Sequence, residues 1–209
     1  MPHVFFLQIV SQANIYQQKE HQPLIANAKH ARMDNSAQIK IEIIVENAMA
    51  EKVIKSIKNA AYSGKIGDGK IFVSDGYGNR RVHRFSKEGE HEISWGEHGT
   101  SEGKFSIVHK LGVSKDNRVF VCDRENDRIQ IFSPDGELID IWTNGLAGPG
   151  DIYFQDDIVY VVEQSQGSGI SIWNLSGDLI TRWRGVPEVC EAVHGCAVDS
   201  KGNITKSRL

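Results

Sequence analysis

A chain of 209 residues with 40% hydrophobic content has room for one ordinary domain or two small ones, and enough apolar mass for a packed core. The formal net charge of -3 argues against a nucleic-acid partner, because proteins that grip a phosphate backbone carry a basic excess to displace counterions. The three cysteines, Cys122, Cys190 and Cys196, are too few for a disulfide framework and fit a reducing compartment or burial as small hydrophobes.

The amino-terminal MPHVFFLQIV holds a short apolar run without a cationic start or a convincing cleavage site. No apolar run approaches the roughly 20 residues of a membrane helix, so a soluble, cytoplasmic protein without a membrane partner is expected. Residues 1–38 are rich in Gln, Asn, His and Ala and keep no sustained helix or strand period, which predicts weak order. IKIEIIVE, residues 39–46, alternates and is β-branched, as a half-buried strand does. NAMAEKVIKSIKNAAYS follows with Ala48, Val53, Ile57 and Ala61 at helical spacing and Asn47 placed to cap the first turn. Gly64 ends that helix, and GDGKIFV turns into a second strand, so residues 39–73 read as strand, helix, strand.

From Ile71 onward a repeat takes over. GKIFVSDGYGNRRVHRFSKEGEHEISWG lies in register with NRVFVCDRENDRIQIFSPDGELIDIW and with DIVYVVEQSQGSGISIWNLSGDLITRWRG. Asp75, Asp123 and Glu163 follow an apolar strand; Phe85, Phe132 and Trp173 end the next; Gly89, Gly136 and Gly177 sit in a turn; Trp95, Trp142 and Trp183 close each unit. HGCAVDSKGNI then begins a fourth unit. A period of about 40 to 48 residues with short alternating strands and Gly or Asp turns is the signature of β-propeller blades, each of which needs neighbours to bury its two faces.

The acidic residues recur at one position, which points to turn capping, and the tryptophans at the strand ends are expected in the core between blades. Cys190, His194 and Cys196 in CEAVHGC lack the spacing of a zinc motif and are read as buried. His83, His91 and His98 are expected to be solvated on turns or outer strands.

The repeat resembles the NHL-repeat family of propellers. Over residues 69–204, FVSDGYGNRRVHRFSKEGE, GKFSIVHKLGVSKDNRVFVCDRENDRIQIFSPDGE and VHGCAVDSKGN are similar to the branch related to the peptidyl-α-hydroxyglycine amidating lyase. That resemblance implies a six-bladed ring with a zinc or calcium ion on its axis, held by histidines that open the innermost strands. His109 in SIVHKLGV and His194 in AVHGCAVD fall at two of those ligand positions; the third histidine has no counterpart. Arg81 in GNRRVHRF falls where the family has its functional arginine, with Arg80 as the register alternative. The implied reaction is cleavage of a C-terminal α-hydroxyglycine to a peptide amide and glyoxylate.

KIEIIVENAMAEKVIKSIKNAAYSGKIGDGKIFV, residues 40–73, resembles the carboxy-terminal half of the PII nitrogen-regulatory signal proteins, ferredoxin-like trimers that bind ATP or ADP and 2-oxoglutarate. By that resemblance Gly67, Gly69 and Lys70 approach the nucleotide phosphates, a role suited to unshielded backbone N–H groups and a flexible cation.

The expected fold is mainly β: a partial NHL-type propeller of three blades plus the start of a fourth over residues 69–209, preceded by a β-α-β half of a PII fold over 39–73. Three functional readings stand. The first is a binding or interaction module for a peptide or protein, descended from the metal-dependent lyases and completing its ring by oligomerising. The second is a PII-like regulator that trimerises and responds to ATP and 2-oxoglutarate. The third takes the shared GKIFV, residues 69–73, as a junction made by an error of assembly or gene prediction.

Overall fold

The computed structural model describes residues 4–12, 30–33, 38–46, 70–86, 88–165, 167–186, 190, 193–199 and 202–208. The helix expected after residue 46 and the glycine turn with Gly67 and Gly69 lie outside the described residues. Strands dominate what is described, and all pair antiparallel within the sheets.

In chain order the strands are β1 Val4–Gln12, β2 His30–Met33, β3 Gln38–Glu46, β4 Ile71–Asp75, β5 Arg81–Phe85, β6 His91–Trp95, β7 Val108–Val113, β8 Val119–Asp123, β9 Arg128–Phe132, β10 Leu138–Trp142, β11 Pro149–Gln155, β12 Ile158–Glu163, β13 Gly169–Asn174, β14 Leu179–Arg184, β15 Val193–Val198 and β16 Ile204–Arg208. They form four sheets: β2-β3-β1-β4-β5-β6, β10-β9-β8-β7, β11-β12-β13-β14 and β15-β16. Three apolar layers lie between successive sheets. Phe72, Val82, Phe105, Leu111, Val121 and Phe132 join the first to the second. Phe120, Trp142, Ile152, Phe154, Val161 and Trp173 join the second to the third, and Tyr160, Val162, Ile170, Val193, Cys196 and Val198 join the third to the fourth. Each middle strand is therefore covered on both faces, which is why β8 is buried along its whole length and reads as a continuous apolar run.

The recurring tryptophan and glycine of the repeat are two halves of one contact. A Cβ on Gly136 would press on the Trp95 ring, and one on Gly177 on the Trp142 indole, so the ring of one sheet packs flat against the bare turn of the next. Both glycines also hold positive φ, 82° and 87°, where a side chain is strained. Trp173 is fully buried and stacks on Trp142, their centroids 5.7 Å apart. Trp183 departs from the expected core role: it is 39% exposed, and among the described residues the two-stranded β15–β16 sheet follows it.

The acidic position keeps the structural role expected of it. Asp123 accepts from the Ser106 backbone N–H, from Asn126 Nδ2 and from Arg128 Nε. Glu163 accepts from the Ala147 N–H and from Arg182 and Arg184. All three cysteines are buried, and none is in a disulfide.

The amino-terminal segment is where sequence and structure differ. In place of weak order, Val4–Gln12 and His30–Met33 are strands. In the second and third sheets the strand beside the acidic one, β7 or β11, comes from the immediately preceding chain. In the first sheet that place is filled by β1, from the far end of the chain, with Leu7 opposite Asp75 and Ser11 opposite Ile71. On its other edge β1 pairs with β3 from Val4↔Glu46 to Gln12↔Gln38. A β-branched apolar run such as VFFLQIV suits an edge whose N–H and C=O groups need partners. β4 is thus shared, hydrogen-bonded to β1 on one side and to β5 on the other. Among the described residues no helix is long and apolar enough to cross a membrane.

Candidate functional site

The inner strands β7, β11 and β15 each begin with a bulge, where one residue is skipped in the pairing with the next strand. The skipped residues are His109, between Val108 and Lys110, Gly150, between Pro149 and Asp151, and His194, between Val193 and Gly195. A bulge re-aims its side chain away from the sheet face. That geometry brings the imidazoles of His109 and His194 together, although a whole sheet separates them in sequence: their centroids are 5.5 Å apart, edge to face. The sequence reading placed both at one axis, and the structure brings them into contact.

Two further side chains complete the cluster, and sequence reasoning had not singled out either. Gly76 carries no side chain because its Cβ would fall onto the Val108 carbonyl oxygen, so the turn after β4 lies against the start of β7. That approach seats the Tyr77 ring edge to face with His109, at 6.0 Å. Arg124, in a 3-10 turn over Arg124–Asn126, lies over the Tyr77 ring at 5.7 Å. It donates from Nη1 to Tyr77 Oη at 3.2 Å and to Gln164 Oε1 at 3.4 Å. The signal in the sequence was the pair of phrases DGYGN and DREN, each following the acidic residue of its repeat.

His109 is buried and held in one state. Its Nδ1 donates to the Gly150 carbonyl at 2.6 Å, which leaves Nε2 as the acceptor nitrogen. Burial, reinforced by the Arg124 charge, pushes its pKa down to about 3. Below the unfolded-chain value of about 6.5 the unfolded state takes up a proton that the folded state refuses, so this contribution to stability is complete above that pH and is lost as pH falls toward 3. The expected loss is up to about 1.4 kcal/mol per pH unit in that window. Urea midpoints at pH 7 and pH 5 should therefore separate less in His109→Asn, which keeps a donor but has no proton to gain, than in the parent chain. Equal separation would show that His109 titrates normally.

Beside this pair, Lys110 and Asp151 form a buried ion pair at 3.2 Å between β7 and β11. Arg81 lies elsewhere: it is exposed at the head of β5, opposite Asp75, and contributes to the field at Glu97. Arg80, the register alternative, has a positive φ of 55° and donates from Nε to the Ser106 carbonyl at 3.0 Å. Lys70 directly precedes β4; the Asp135 carboxyl is held below its usual range mainly by Arg84, with a smaller contribution from Lys70.

The family resemblance implies an ion on the axis of the ring. The Nδ1–H···O=C bond of His109 is the kind that orients a metal-binding imidazole. The third bulge position, however, is Gly150, and among the described residues no group of three His, Cys, Asp or Glu is gathered. Catalytic zinc takes three protein ligands and calcium takes oxygen ligands, so these residues do not fit either ion as a resident group. What the cluster offers is a cation, a phenol and a neutral imidazole nitrogen, a set suited to a carboxylate-bearing ligand.

The family model for nitrogen regulatory protein P-II matches residues 16–75, and that for the NHL repeat matches residues 105–132. The P-II match thus reaches upstream of residue 39, where the sequence reading began it. NHL repeat-containing protein 3 of Homo sapiens is 38% identical over 101 residues, 45% of this chain and 28% of that protein. Peptidyl-glycine alpha-amidating monooxygenase of Mus musculus is 30% identical over 151 residues, 65% of this chain and 15% of that protein. Nitrogen regulatory protein P-II of Azospirillum brasilense is 42% identical over 57 residues, 27% of this chain and 50% of that protein. The chain therefore spans half or less of the length of each of these relatives. In fold it is similar to the WD40 repeats of RRP9, with a TM-score of 0.52 at 14% identity over 68% of this chain and 48% of that one. The chain thus carries a segment that matches the NHL repeat and, on its amino-terminal side, one that matches nitrogen regulatory protein P-II; it is similar over part of its length to NHL repeat-containing and peptidyl-glycine alpha-amidating proteins, and similar in fold to a repeat protein of propeller type.

Proposed function

We propose that the chain is a binding module, three propeller blades and the start of a fourth, whose site between His109, His194, Tyr77 and Arg124 takes the carboxylate end of a peptide. One observation carries this reading: Arg124 lies over Tyr77, whose ring meets the contacting His109–His194 pair. A guanidinium pairs with a carboxylate through two parallel N–H donors, and the phenol and neutral imidazole add a donor and an acceptor for the neighbouring backbone of the ligand. Arg124, in contact with this cluster, takes the role that the sequence reading gave Arg81. Lyase cleavage of an α-hydroxyglycine extension, with a zinc or calcium ion, belongs to this proposal only if further ligands come from outside the described residues.

Calorimetry with a peptide ending in glycine, against the same peptide amidated, tests the reading. The free acid is expected to bind, and Arg124→Ala is expected to weaken it by about ten- to a hundredfold, the range for a hydrogen bond to a charged group. Equal binding of the amidated peptide, or an unaffected Arg124→Ala, would overturn it. Glyoxylate release from an α-hydroxyglycine peptide under zinc supplementation reports on the lyase version separately.

A second reading rests on the P-II match over residues 16–75. It makes the chain a trimeric, nucleotide-responsive regulator in which Lys70, with Gly67 and Gly69, approaches ATP, and 2-oxoglutarate is the second ligand. ATP should then raise the melting temperature in the parent and not in Lys70→Ala; a monomer indifferent to millimolar ATP would exclude this version.

A further inference from the structure

The outer strands of the first sheet hold a second cluster, away from the bulge histidines. It grows out of the repeated acidic position. In the second sheet Asp123 accepts a long contact from Gln130 Nε2, at 3.4 Å. Gln130 stands opposite Val121, and the residue in the same register in the first sheet, opposite Val73, is His83. Its Nε2 lies at the same 3.4 Å from Asp75 Oδ2. The two arrangements match up to this atom.

An imidazole has a second nitrogen where a glutamine amide ends. His83 Nδ1 lies 2.7 Å from Ser94 Oγ across the β5–β6 pair, in which His83 stands opposite Ser94. Ser94 is exposed, and His91 Nε2 approaches the same Oγ at 2.6 Å. In the second and third sheets the register place of Ser94 is taken by Ile141, opposite Gln130, and by Arg182, opposite Ser171. Among the described residues the hydroxyl and its two imidazoles therefore belong to the first sheet and are not a requirement of the repeat.

The hydrogen bonds have one consistent direction. Burial works against charge on Asp75, yet hydrogen bonds from His83 and Asn79 hold its carboxyl below the usual range. As a carboxylate it only accepts, so His83 carries its hydrogen on Nε2 and presents a lone pair at Nδ1. The Ser94 hydroxyl donates into that lone pair and accepts from His91 Nε2–H. Carboxylate, base and hydroxyl follow one another in the order that activates a serine, with the base oriented by a third group.

We propose that Ser94 is a nucleophile toward small activated esters and fluorophosphonates, with His83 as its general base and Asp75 as the positioning residue. With an aryl ester, a bond forms from Ser94 Oγ to the acyl carbon, the Ser94 proton passes to His83 Nδ1, and the bond to the aryl oxygen breaks as His83 gives that proton to the leaving oxygen, which releases the phenol and restores the neutral imidazole. Water then attacks the acyl carbon with loss of one proton to His83 Nδ1, and the Oγ–acyl bond breaks as His83 returns that proton to Ser94 Oγ, which releases the acid. With a fluorophosphonate the P–F bond breaks, fluoride departs and the adduct on Oγ remains. Such donors bring good leaving groups and need only a nucleophile and a base.

The test uses the full chain with diisopropyl fluorophosphate and peptide mass mapping. An adduct on Ser94 is expected, absent in Ser94→Ala. His83→Gln restores the arrangement of the second sheet, Gln130 beside Asp123, and so keeps the fold while removing the base; labelling should slow by at least about a hundredfold, the lower range for general base catalysis. Asp75→Asn should also slow labelling and Asp75→Glu recover it, at unchanged near-ultraviolet circular dichroism, a pattern that a purely structural carboxylate would not produce. His91→Ala should retain the adduct. No adduct on Ser94, or an adduct formed equally fast in His83→Gln, would overturn the proposal. The experiment reads nothing at Arg124 or His109, so its outcome is independent of the peptide site.

Discussion

Asp123→Ala should destabilise the chain by about 3–5 kcal/mol, the cost of removing one partner from a buried charge network. Asp123 is fully buried, and its Arg128 partner is only 10% exposed in the side chain. Removing the carboxylate strips acceptors from Arg128 Nε, Asn126 Nδ2 and the Ser106 N–H together, in a place water does not reach. The equivalent Glu163→Ala should cost clearly less. Its partners Arg182 and Arg184 keep 19% and 24% of their side-chain surface in solvent, so their guanidinium groups can rehydrate. Denaturant unfolding followed by tryptophan emission measures both, because Trp95, Trp142, Trp173 and Trp183 all lie in the repeat region. A smaller loss for Asp123→Ala than for Glu163→Ala would mean that the Ser101 and Lys104 carbonyls bound by Arg128 Nη2 suffice to hold it.

A zinc site should appear when the third bulge position is given a ligand. Gly150 occupies the place that His109 and His194 hold in their own strands, and its backbone already accepts from His109 Nδ1. A Cβ there would fall onto the Gln164 side chain, so Gly150→His needs Gln164→Ala beside it to clear the space. With three imidazoles converging, the double variant meets the ligand number of a catalytic zinc site. Zinc at a hundred times its dissociation constant would then stabilise the fold by about 2.7 kcal/mol. The parent chain, with two imidazoles, should show a much smaller shift in the same thermal melt. An equal shift in both would mean that the parent already completes the site with residues outside those described.

Much of the architecture was legible because it repeats. The acidic residue, the turn glycine and the closing tryptophan each recur for a local physical reason that survives without coordinates: a carboxylate that gathers N–H groups, a turn at positive φ, and a ring that needs a flat partner. What the repeat could not show is which of these rings is covered: Trp142 and Trp173 are buried, whereas Trp183 is exposed. His91 is exposed, as expected of an outer strand, while His83 is half-buried; what the sequence hid is that both reach Ser94 across strands, because cross-strand register is invisible until the turns are placed. The same limit hid Tyr77 and Arg124, which lie in two different repeats and meet only because Gly76 lets one turn lie against the next strand.

By itself the amino-acid sequence determined the mainly β class of fold, the register of the repeat, and the presence of P-II and NHL-type segments. Those properties are carried by local patterns of alternation, turn residues and short phrases. The tertiary structure alone decided that β1 fills the inner place of the first sheet, that His109 and His194 touch, and that Arg124 joins them while Arg81 stands apart. Each of these depends on pairing between residues distant in the chain, where the free energy lies in hydrogen bonds and burial that no single segment contains.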